Sequence, residues 1–508
     1  MPIQDNQPQA TNPIIWADVP DPAIIRVGDT YYMASTTMHM KPGLPIMRSK
    51  DLVNWEIVSY AYQILADSES FRLENGKNEY SRGTWAPSLR YHNGTFYAST
   101  HSFSTGETYI FSTTDIESGK WKKTAFTPAH HDQSLFFDDD GRVYMIYAGG
   151  NIRIVELLPD VSGIKPGGLN QIIIPNAGLV AASDLMLHAE GSHMLKHDGK
   201  YYVFNITWPR GGMRTAIVHR AANLTGPWEG RVILQDRGIA QGSVIQTPDG
   251  RWYAYKFRDY GAVGRIPYLI PMKWVDGWPV LGTNGVVPDK LDIAVKNINA
   301  SGIVATDEFS RRLGDNSLPL AWQWNHNPDP NFWSLSQRRG FLRLTTGRVD
   351  DNVLQARNTL TQRTFGPESS VMTAIEITNM KDGDYAGLML LQARYGFVGV
   401  KRENGALSIV KVSNESGKTV ELANVPINQY RVYLKIECDF KNRADRAYFY
   451  YSIDDRTWVP IGPPLQMEYT LEHFMGARFG LFNFATQAPG GFVDFAFYRV
   501  SDVITVGR

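Results

Sequence analysis

Three carboxylates recur at one position of a pattern that repeats five times along the chain. The tyrosines that close the five repeats are Tyr32, Tyr97, Tyr144, Tyr202 and Tyr253. Eleven or twelve residues before them stand, in the same order, Asp21, Ala86, Asp132, Glu190 and Gln241. A difference of one residue in turn length explains the two spacings, so we expect these five positions to be equivalent. The three carboxylates should then face one another.

Carboxylates brought together in this way suit acid–base chemistry. Their negative charges repel, so one or more pKa values must rise unless a cation intervenes. Glycoside hydrolysis needs such a set, with one carboxylic acid to protonate the leaving oxygen and one carboxylate to activate water. A third carboxylate can orient the acid and tune its pKa. Two other interpretations stay open, which are a calcium site and separately solvated loop carboxylates.

The elements that must position these residues are short hairpins. Each repeat has an apolar strand, a glycine-containing turn and a second strand that carries the closing tyrosine, over residues 22–32, 87–97, 134–144, 192–202 and 243–253. The turn is Asp-Gly or Asn-Gly in four of them, as is typical of hairpins. Blade-sized spacing predicts a five-bladed β-propeller, in which equivalent inner-strand residues meet at the central axis. An open β-sandwich with chance turns is the alternative.

A second domain follows the repeats. They fade after about residue 290, and short alternating strands run from Asp307 to Val503 without helical periodicity. This pattern predicts an antiparallel β-sandwich. We therefore expect an all-β chain with a propeller over 12–295 and a sandwich over 303–505. The sandwich should pack on the propeller, and a loop aromatic such as Phe474 should reach the pocket mouth.

Composition excludes several classes of protein. The chain has 508 residues, 51 Lys+Arg and 51 Asp+Glu, which argues against a nucleic-acid-binding surface. With the single cysteine Cys438, no intrachain disulfide can form. No apolar run reaches the length of a membrane span. The polar opening over 1–9 lacks the apolar stretch of a signal peptide, which fits a cytoplasmic protein or a mature chain.

Five motifs in order along the chain carry a resemblance to glycoside hydrolase family 43. The first is AsnProIleIleTrpAlaAspValProAspPro (12–22), and the others lie at 49–55, 85–88, 189–194 and 261–267. The chain resembles the subfamily often numbered 12, and the sandwich resembles the concanavalin-like domain that accompanies the family. The resemblance implies an inverting hydrolase in which Asp21 is the general base and Glu190 the general acid. Asp132 would tune and orient the acid, and Arg265 would hold the sugar and the tuning carboxylate.

The sequence departs from the family pattern at two positions that bear on ligands. Gln241 takes an axial position where many members have a histidine that helps to hold a cation, which weakens the case for an axial metal. A stretch with Met38 and His39 replaces the aromatics that form a sugar wall in many β-xylosidases of the family. We expect Gln241, Met38, His39 and Trp85 to contact the substrate, although Trp85 packing beneath the pocket floor is equally compatible with the sequence. No cofactor is expected beyond a structural Ca²⁺ in the sandwich, at Glu308 and Asp494.

The resemblance implies an exo-acting α-L-arabinofuranosidase on plant cell-wall oligosaccharides. Its substrate would be arabinoxylan or arabinosylated xyloglucan, and the Met38 stretch favours arabinose over xylose. The first alternative is a β-xylosidase or a bifunctional enzyme, and the second is a non-catalytic carbohydrate-binding protein. Such an enzyme is expected in the periplasm or outside the cell, with the cytoplasm as the alternative, and it needs neither nucleic acid nor a membrane span.

Overall fold

The structure is a computed structural model that describes residues 9–294, 302–312, 314–415 and 417–505, and it is all-β. Within these ranges helix is limited to four short 3-10 turns, Ala177–Val180, Gly261–Val263, Pro330–Phe332 and Lys441–Arg443. None of the helices in the described part of the chain is long and apolar enough to cross a membrane.

Five antiparallel sheets of four strands form the first half of the molecule, which confirms the predicted five-bladed propeller. Blade one has Ala23–Val27, Thr30–Ala34, Gly43–Ser49 and Glu56–Tyr62. Blade two has Ser88–His92, Thr95–Ser102, Glu107–Thr113 and Lys122–Phe126. Blade three has Ser134–Phe137, Val143–Tyr147, Ile152–Leu157 and Asn170–Ile174. Blade four has Leu185–His197, Lys200–Pro209, Thr215–Ala221 and Glu229–Leu234. Blade five has Gly242–Gln246, Trp252–Asp259, Arg265–Val275 and Trp278–Leu281.

Each blade buries apolar side chains on both faces because it is stacked between two others. In blade three, Leu135 and Met145 pack with Ile110 of blade two in one cluster. The alternate residues Phe136 and Tyr144 pack in a second cluster that includes residues of blade four. Successive side chains of a strand point to opposite faces, so the near-continuous apolar runs of the inner strands follow from this stacking.

The start of the described chain closes the ring of blades. The Asn12 side chain donates to the Leu269 and Pro288 carbonyls at 2.9 and 2.8 Å, and its oxygen accepts from the Leu269 amide. The Val19 amide donates to the Arg265 carbonyl at 3.0 Å, just before blade one begins. The strand Gln9–Thr11 pairs with Lys290–Ala294 beyond blade five. These bonds hold the first carboxylate segment beside the fifth blade.

Two antiparallel sheets form the second half, which confirms the predicted sandwich. One sheet has, in spatial order, Val420–Ile427, Ala406–Ser413, Gly396–Glu403, Asp384–Leu391, Arg478–Ala485, Leu360–Arg363, Gln323–Asn325 and Met40–Lys41. The other has Trp333–Ser334, Leu342–Thr345, Phe492–Ser501, Glu368–Glu376, Arg431–Asp439, Arg446–Ser452 and Val459–Pro460, with Leu465–Gln466 paired to Arg446–Ser452. The domain limits 12–295 and 303–505 stay predictions, and residue 295 lies outside the described residues.

The propeller contributes one strand to the sandwich. Met40–Lys41 leaves blade one and pairs with Gln323–Asn325, with Lys41 opposite Trp324. Backbone pairing across the two domains makes the loop before this strand part of a buried interface. The same pairing explains why Met38 and His39 are buried between the domains and do not form a wall of the pocket.

Three buried histidines meet at that interface. His39 comes from the propeller, and His326 and His473 come from the sandwich; Tyr80 lies within 4.8 Å of all three rings. The Asn325 side-chain oxygen lies 3.0 Å from His39 Nε2 and 3.2 Å from His326 Nδ1. Burial lowers the pKa of all three histidines, to about 3 for His473. They are neutral in the folded protein.

This cluster predicts that the protein loses stability in acid. Unfolded histidines take up protons below about pH 6.5 and the buried ones do not, so unfolding becomes easier as the pH falls through that value. Replacing His473 with Asn removes one such group. The loss of unfolding free energy between pH 7 and pH 5 should shrink by about 2 kcal/mol, as measured by urea unfolding followed by tryptophan fluorescence. The control is a change at the exposed His188, and equal pH dependence in wild type and H473N would contradict the expectation.

Candidate active site

The positions that the repeats make equivalent lie close together in the structure. Asp21, Ala86, Asp132 and Gln241 all line one cavity of about 30 Å³ among the inner strands, and blade four lines it with Gly191, the neighbour of Glu190. Burial and the negative charge of Glu190 raise the pKa of Asp132 to about 7, and Asp21 acts in the same direction. The three predicted carboxylates therefore interact electrostatically in one site.

Backbone conformation turns two of the carboxylates toward the axis. Asp21 and Asp132 precede their inner strands with φ of 53° and 46°, in the left-handed region that few residues other than glycine adopt. Aspartate is among the residues that tolerate this conformation best. Glu190 lies within Leu185–His197, where irregular pairing displaces the strand from its partner. Such local strain persists only where the surroundings enforce it, and it concentrates at functional sites.

Arg265 connects the base position to the rest of the pocket. Its Nη1 donates to Asp21 Oδ2 at 3.1 Å, whereas the resemblance implied that it holds Asp132. The difference follows from ring closure, because Asp18 accepts the Arg265 amide at 2.8 Å and thereby fixes this residue beside the Asp21 segment. Burial raises the pKa of Asp21, and the Arg265 charge opposes that shift. Nε and Nη2 of Arg265 are buried without a hydrogen-bond partner among the described residues, so they can donate to a ligand hydroxyl.

An open cleft of about 560 Å³ lies beside the carboxylates, and both domains build it. Its apolar lining residues are Trp85, Phe103, Leu471 and Phe474. Phe474 comes from a sandwich loop, and its ring lies 4.7 Å from the Arg265 guanidinium and 5.4 Å from the Trp85 ring. The structure thus places Phe474 at the pocket mouth, as expected, and places the half-buried Trp85 in the cleft wall. Aromatic rings at these positions suit the apolar faces of a sugar.

Two other predicted contacts are buried away from the pocket, and a third lies in the axial cavity. Met38 and His39 are 1% and 0% exposed, so the prediction that they line a sugar wall is wrong. The strand that follows them joins the sandwich sheet and draws both side chains into the domain interface. Gln241 lies in the axial cavity and packs against Gly191. Its contact with a sugar stays a prediction.

Basic side chains beside the axial cavity argue against a calcium ion there, although Asp21 and Asp132 also line it. The half-buried Arg90 lies beside it, with Nη2 3.3 Å from His193 Nδ1 and Nε donating to the Leu135 carbonyl at 2.7 Å. Lys256 Nζ donates to the Gly242 carbonyl at 3.4 Å. His193 and Gly242 both line the cavity, so the Arg90 guanidinium and the Lys256 amine lie against it, and burial lowers the pKa of Lys256 to about 7. A divalent cation would be repelled by these charges.

The predicted sandwich calcium has no suitable donors either. Both oxygens of Glu308 accept from Arg499, at 2.7 and 2.9 Å. Asp494 accepts from Arg343 at 2.8 and 2.9 Å and from Arg338 at 3.1 Å. Guanidinium groups take the positions that a cation would need, so these two residues do not fit a calcium ion in this arrangement.

Sequence reasoning missed His131 and Phe103. His131 Nε2 lies 2.9 Å from Glu190 Oε2, and the Phe103 ring stacks on the imidazole with centroids 5.9 Å apart. The signal for His131 was its place directly before Asp132, at the start of the third repeat. Phe103 lies just beyond a second strand, outside the counted positions, and only tertiary packing brings it to the site.

Comparison with known proteins agrees with this geometry. The family described as "Glycosyl hydrolases family 43" matches residues 10–279, and "Beta xylosidase C-terminal Concanavalin A-like domain" matches residues 306–501. The chain is 29% identical to "Beta-xylosidase" of Formosa agariphila, over 95% of this chain and 88% of that protein. It is 30% identical to "Non-reducing end alpha-L-arabinofuranosidase BoGH43B" of Bacteroides ovatus, over 66% of this chain and 64% of that protein.

A solved structure is similar to this chain at a higher sequence identity than these two relatives. It is described as "Bifunctional GH43-CE" from Bacteroides eggerthii and superposes with a TM-score of 0.97 at 56% identity. The match covers 98% of this chain and 64% of that one. This chain therefore spans about two thirds of the length of that bifunctional protein.

Removal of divalent cations tests whether the enzyme needs a metal ion near the pocket. Dialysis against EDTA should leave kcat/KM unchanged, because the Arg90 guanidinium beside the axial cavity would repel a divalent cation. Activity measured before and after dialysis, and again after addition of Ca²⁺, checks this expectation. A loss of activity that Ca²⁺ restores would show a metal near the pocket. A fall in Tm at unchanged activity would instead place a metal elsewhere in the protein.

Proposed function

The chain belongs to glycoside hydrolase family 43, and from that premise we propose that it is an exo-acting, inverting enzyme that releases single terminal pentose units from hemicellulose oligosaccharides. The observation that supports this most directly is the set of three carboxylates beside the unsatisfied donors of Arg265. An acid, a base and a ligand-binding cation are thereby present in one pocket. A non-catalytic carbohydrate-binding protein would gain nothing from the strained, mutually repelling carboxylates.

The proposed reaction assigns one role to each group. Asp21 takes a proton from a water molecule, and the resulting hydroxyl attacks the anomeric carbon. The bond from that carbon to the leaving oxygen breaks, and Glu190 gives its proton to this oxygen. Asp21 then releases its proton to solvent and Glu190 regains one, so protons balance over the cycle. Asp132 orients and tunes the acid, and Arg265 Nε and Nη2 hold a sugar hydroxyl.

The shape of the pocket supports exo action on a single sugar. The space below the carboxylates is only about 30 Å³, too small for a second sugar unit. The large opening is the cleft of Trp85, Phe103 and Phe474. It borders both His131, which contacts Glu190, and Arg265, which contacts Asp21, so it opens onto the acid and the base. Since the acid faces the leaving oxygen, the cleft is the place for the remainder of the oligosaccharide.

The first candidate sugar is α-L-arabinofuranose, as a side chain of arabinoxylan or of arabinosylated xyloglucan. Its support is the similarity to the arabinofuranosidase of Bacteroides ovatus. The argument from Met38 no longer contributes, because that residue is buried. The second candidate is β-D-xylose, which the similarity to the Formosa β-xylosidase favours. For an enzyme of this kind we propose a periplasmic or extracellular location.

Paired chromogenic substrates test which sugar is preferred. We expect kcat/KM for aryl α-L-arabinofuranoside to exceed that for aryl β-D-xyloside by about tenfold or more, the range that small differences in sugar contacts can supply. Both substrates carry the same leaving group, so the ratio reports the sugar alone. A higher value for the xyloside would replace the first candidate by the second.

Two substitutions test the roles of acid and base. Glu190→Gln should lower kcat on natural oligosaccharides about 10²–10⁴-fold and on activated aryl glycosides much less, because good leaving groups need no proton. Asp21→Asn should lower both alike, because every substrate needs the activated water. Asp184→Asn, at an exposed carboxylate that pairs with Arg210, is the matched control. Proton NMR of the first-formed sugar should show inversion, and retention would refute the assignment.

A further inference from the structure

His131 contacts the proposed acid from outside the carboxylate set. Its Nε2 lies 2.9 Å from Glu190 Oε2, which leaves Oε1 free of this bond. Its Nδ1 is 3.9 Å from Asp132 Oδ1, beyond hydrogen-bond distance, and has no hydrogen-bond partner in the part of the chain that the structure describes. The short contact with Glu190 is therefore the main polar interaction of the His131 side chain.

The loop after the second strand of blade three holds this contact in place. The Ala148 amide donates to the His131 carbonyl at 2.9 Å, and the Gly150 amide donates to the Ala189 carbonyl at 2.8 Å. Ala189 is the residue before Glu190, so three consecutive loop residues connect the backbones of both partners. Gly149 lies between the two donors, and a side chain there would start 3.9 Å from Glu190 Oε2. The pair is thus held by the backbone rather than by a chance side-chain orientation.

The groups around His131 make its charged form favourable. Burial alone would lower its pKa, but the hydrogen bond to Glu190 and the charges of Asp132, Glu190 and Asp21 outweigh burial and raise the pKa to about 9. His101 packs beside it with ring centroids 5.5 Å apart, and burial lowers the pKa of His101 to about 3, so this neighbour is neutral. The Phe103 and Trp85 rings complete the enclosure.

We infer that His131 is a positioning residue that holds Oε2 of Glu190, turns Oε1 toward the leaving oxygen, and stabilises the carboxylate that forms when Glu190 gives up its proton. The inference rests on the proposed function of Glu190 as the acid. No proton leaves His131 in this step; the Nε2–H donor stays on the ring while the proton of Glu190 moves to the leaving oxygen. The hydrogen bond is stronger to the carboxylate than to the carboxylic acid, so it favours the transition state over the ground state.

Two substitutions separate the charge from the hydrogen bond. His131→Gln keeps an N–H donor at a similar reach but carries no charge, and His131→Met removes both donor and charge. We expect kcat on natural oligosaccharides to fall about 10–100-fold in H131M and less in H131Q, with KM changed little. Activated aryl glycosides should lose less rate than natural substrates in both variants. His130→Asn is the matched control, since His130 binds Thr108 and does not contact the acid.

The pH profile distinguishes this role from a structural one. Without the imidazolium charge the acid is weaker, so it keeps its proton to higher pH and donates it less well. The alkaline limb of kcat/KM should therefore move to higher pH in H131Q and H131M while the maximum rate falls. Circular dichroism and Tm confirm that each variant is folded.

Each outcome decides the inference. A lower kcat with the alkaline limb moved upward supports it. Wild-type kcat in H131M, or a uniform loss with an unmoved limb in both variants, would overturn it. The proposed function is tested separately by Glu190→Gln: if E190Q is inactive on natural substrates while both His131 variants behave as wild type, only the inference about His131 fails. If E190Q keeps full activity, the assignment of the acid itself fails.

Discussion

The pocket depends on the electrostatic cost of holding Asp21, Asp132 and Glu190 together beside the propeller axis. Like charges in a buried site raise one another's pKa and destabilise the fold unless cations or protons offset them. The structure offsets them unequally. Asp21 has the Arg265 guanidinium at 3.1 Å, and Glu190 has the His131 imidazole at 2.9 Å. Among the described residues no basic group lies within hydrogen-bond distance of Asp132, and its pKa rises to about 7. Three carboxylates at equivalent repeat positions thereby have different partners and different chemical properties.

The second constraint is the interface between the domains, which determines the shape of the pocket mouth. The propeller strand Met40–Lys41 extends a sandwich sheet, and the buried histidine cluster includes His473, the residue directly before Phe474. Asp18 accepts the amides of both Arg265 and Gly476, from blade five and from the sandwich loop. The Asp18 side chain thus connects the backbone of Arg265 to the sandwich loop at the rim of the pocket. A shift of the sandwich would displace Phe474 from its position 4.7 Å from the Arg265 guanidinium.

The sequence was most informative where structure repeats. Counting back from the tyrosines placed Asp21, Asp132 and Gln241 in one cavity because each repeat folds as the same hairpin with nearly the same turn. It failed for Met38 and His39, since nothing local shows that the strand after them pairs with residues almost 300 positions away. Long-range packing also brings Phe103 to His131, and ring closure gives Arg265 its partner Asp21. Contacts within a repeat are readable from the sequence, whereas contacts between distant segments need the folded chain.

Local contacts and long-range contacts also contribute to different properties of the pocket, the type of reaction and the choice of sugar. The carboxylates come from inner-strand positions that the propeller repeat dictates, so the reaction type follows from the fold of one domain. The cleft walls that we propose for the sugar and its leaving group are formed by Trp85, Phe103 and Phe474, on a blade-two segment, a blade-two strand end and a sandwich loop. Arabinofuranose and xylopyranose offer similar hydroxyl groups to an acid and a base, and contacts with such walls differ by only about 1–3 kcal/mol between close analogues. Under the proposed function, the preference between these two sugars is expected to depend on the junction of the two domains rather than on the carboxylates at the axis.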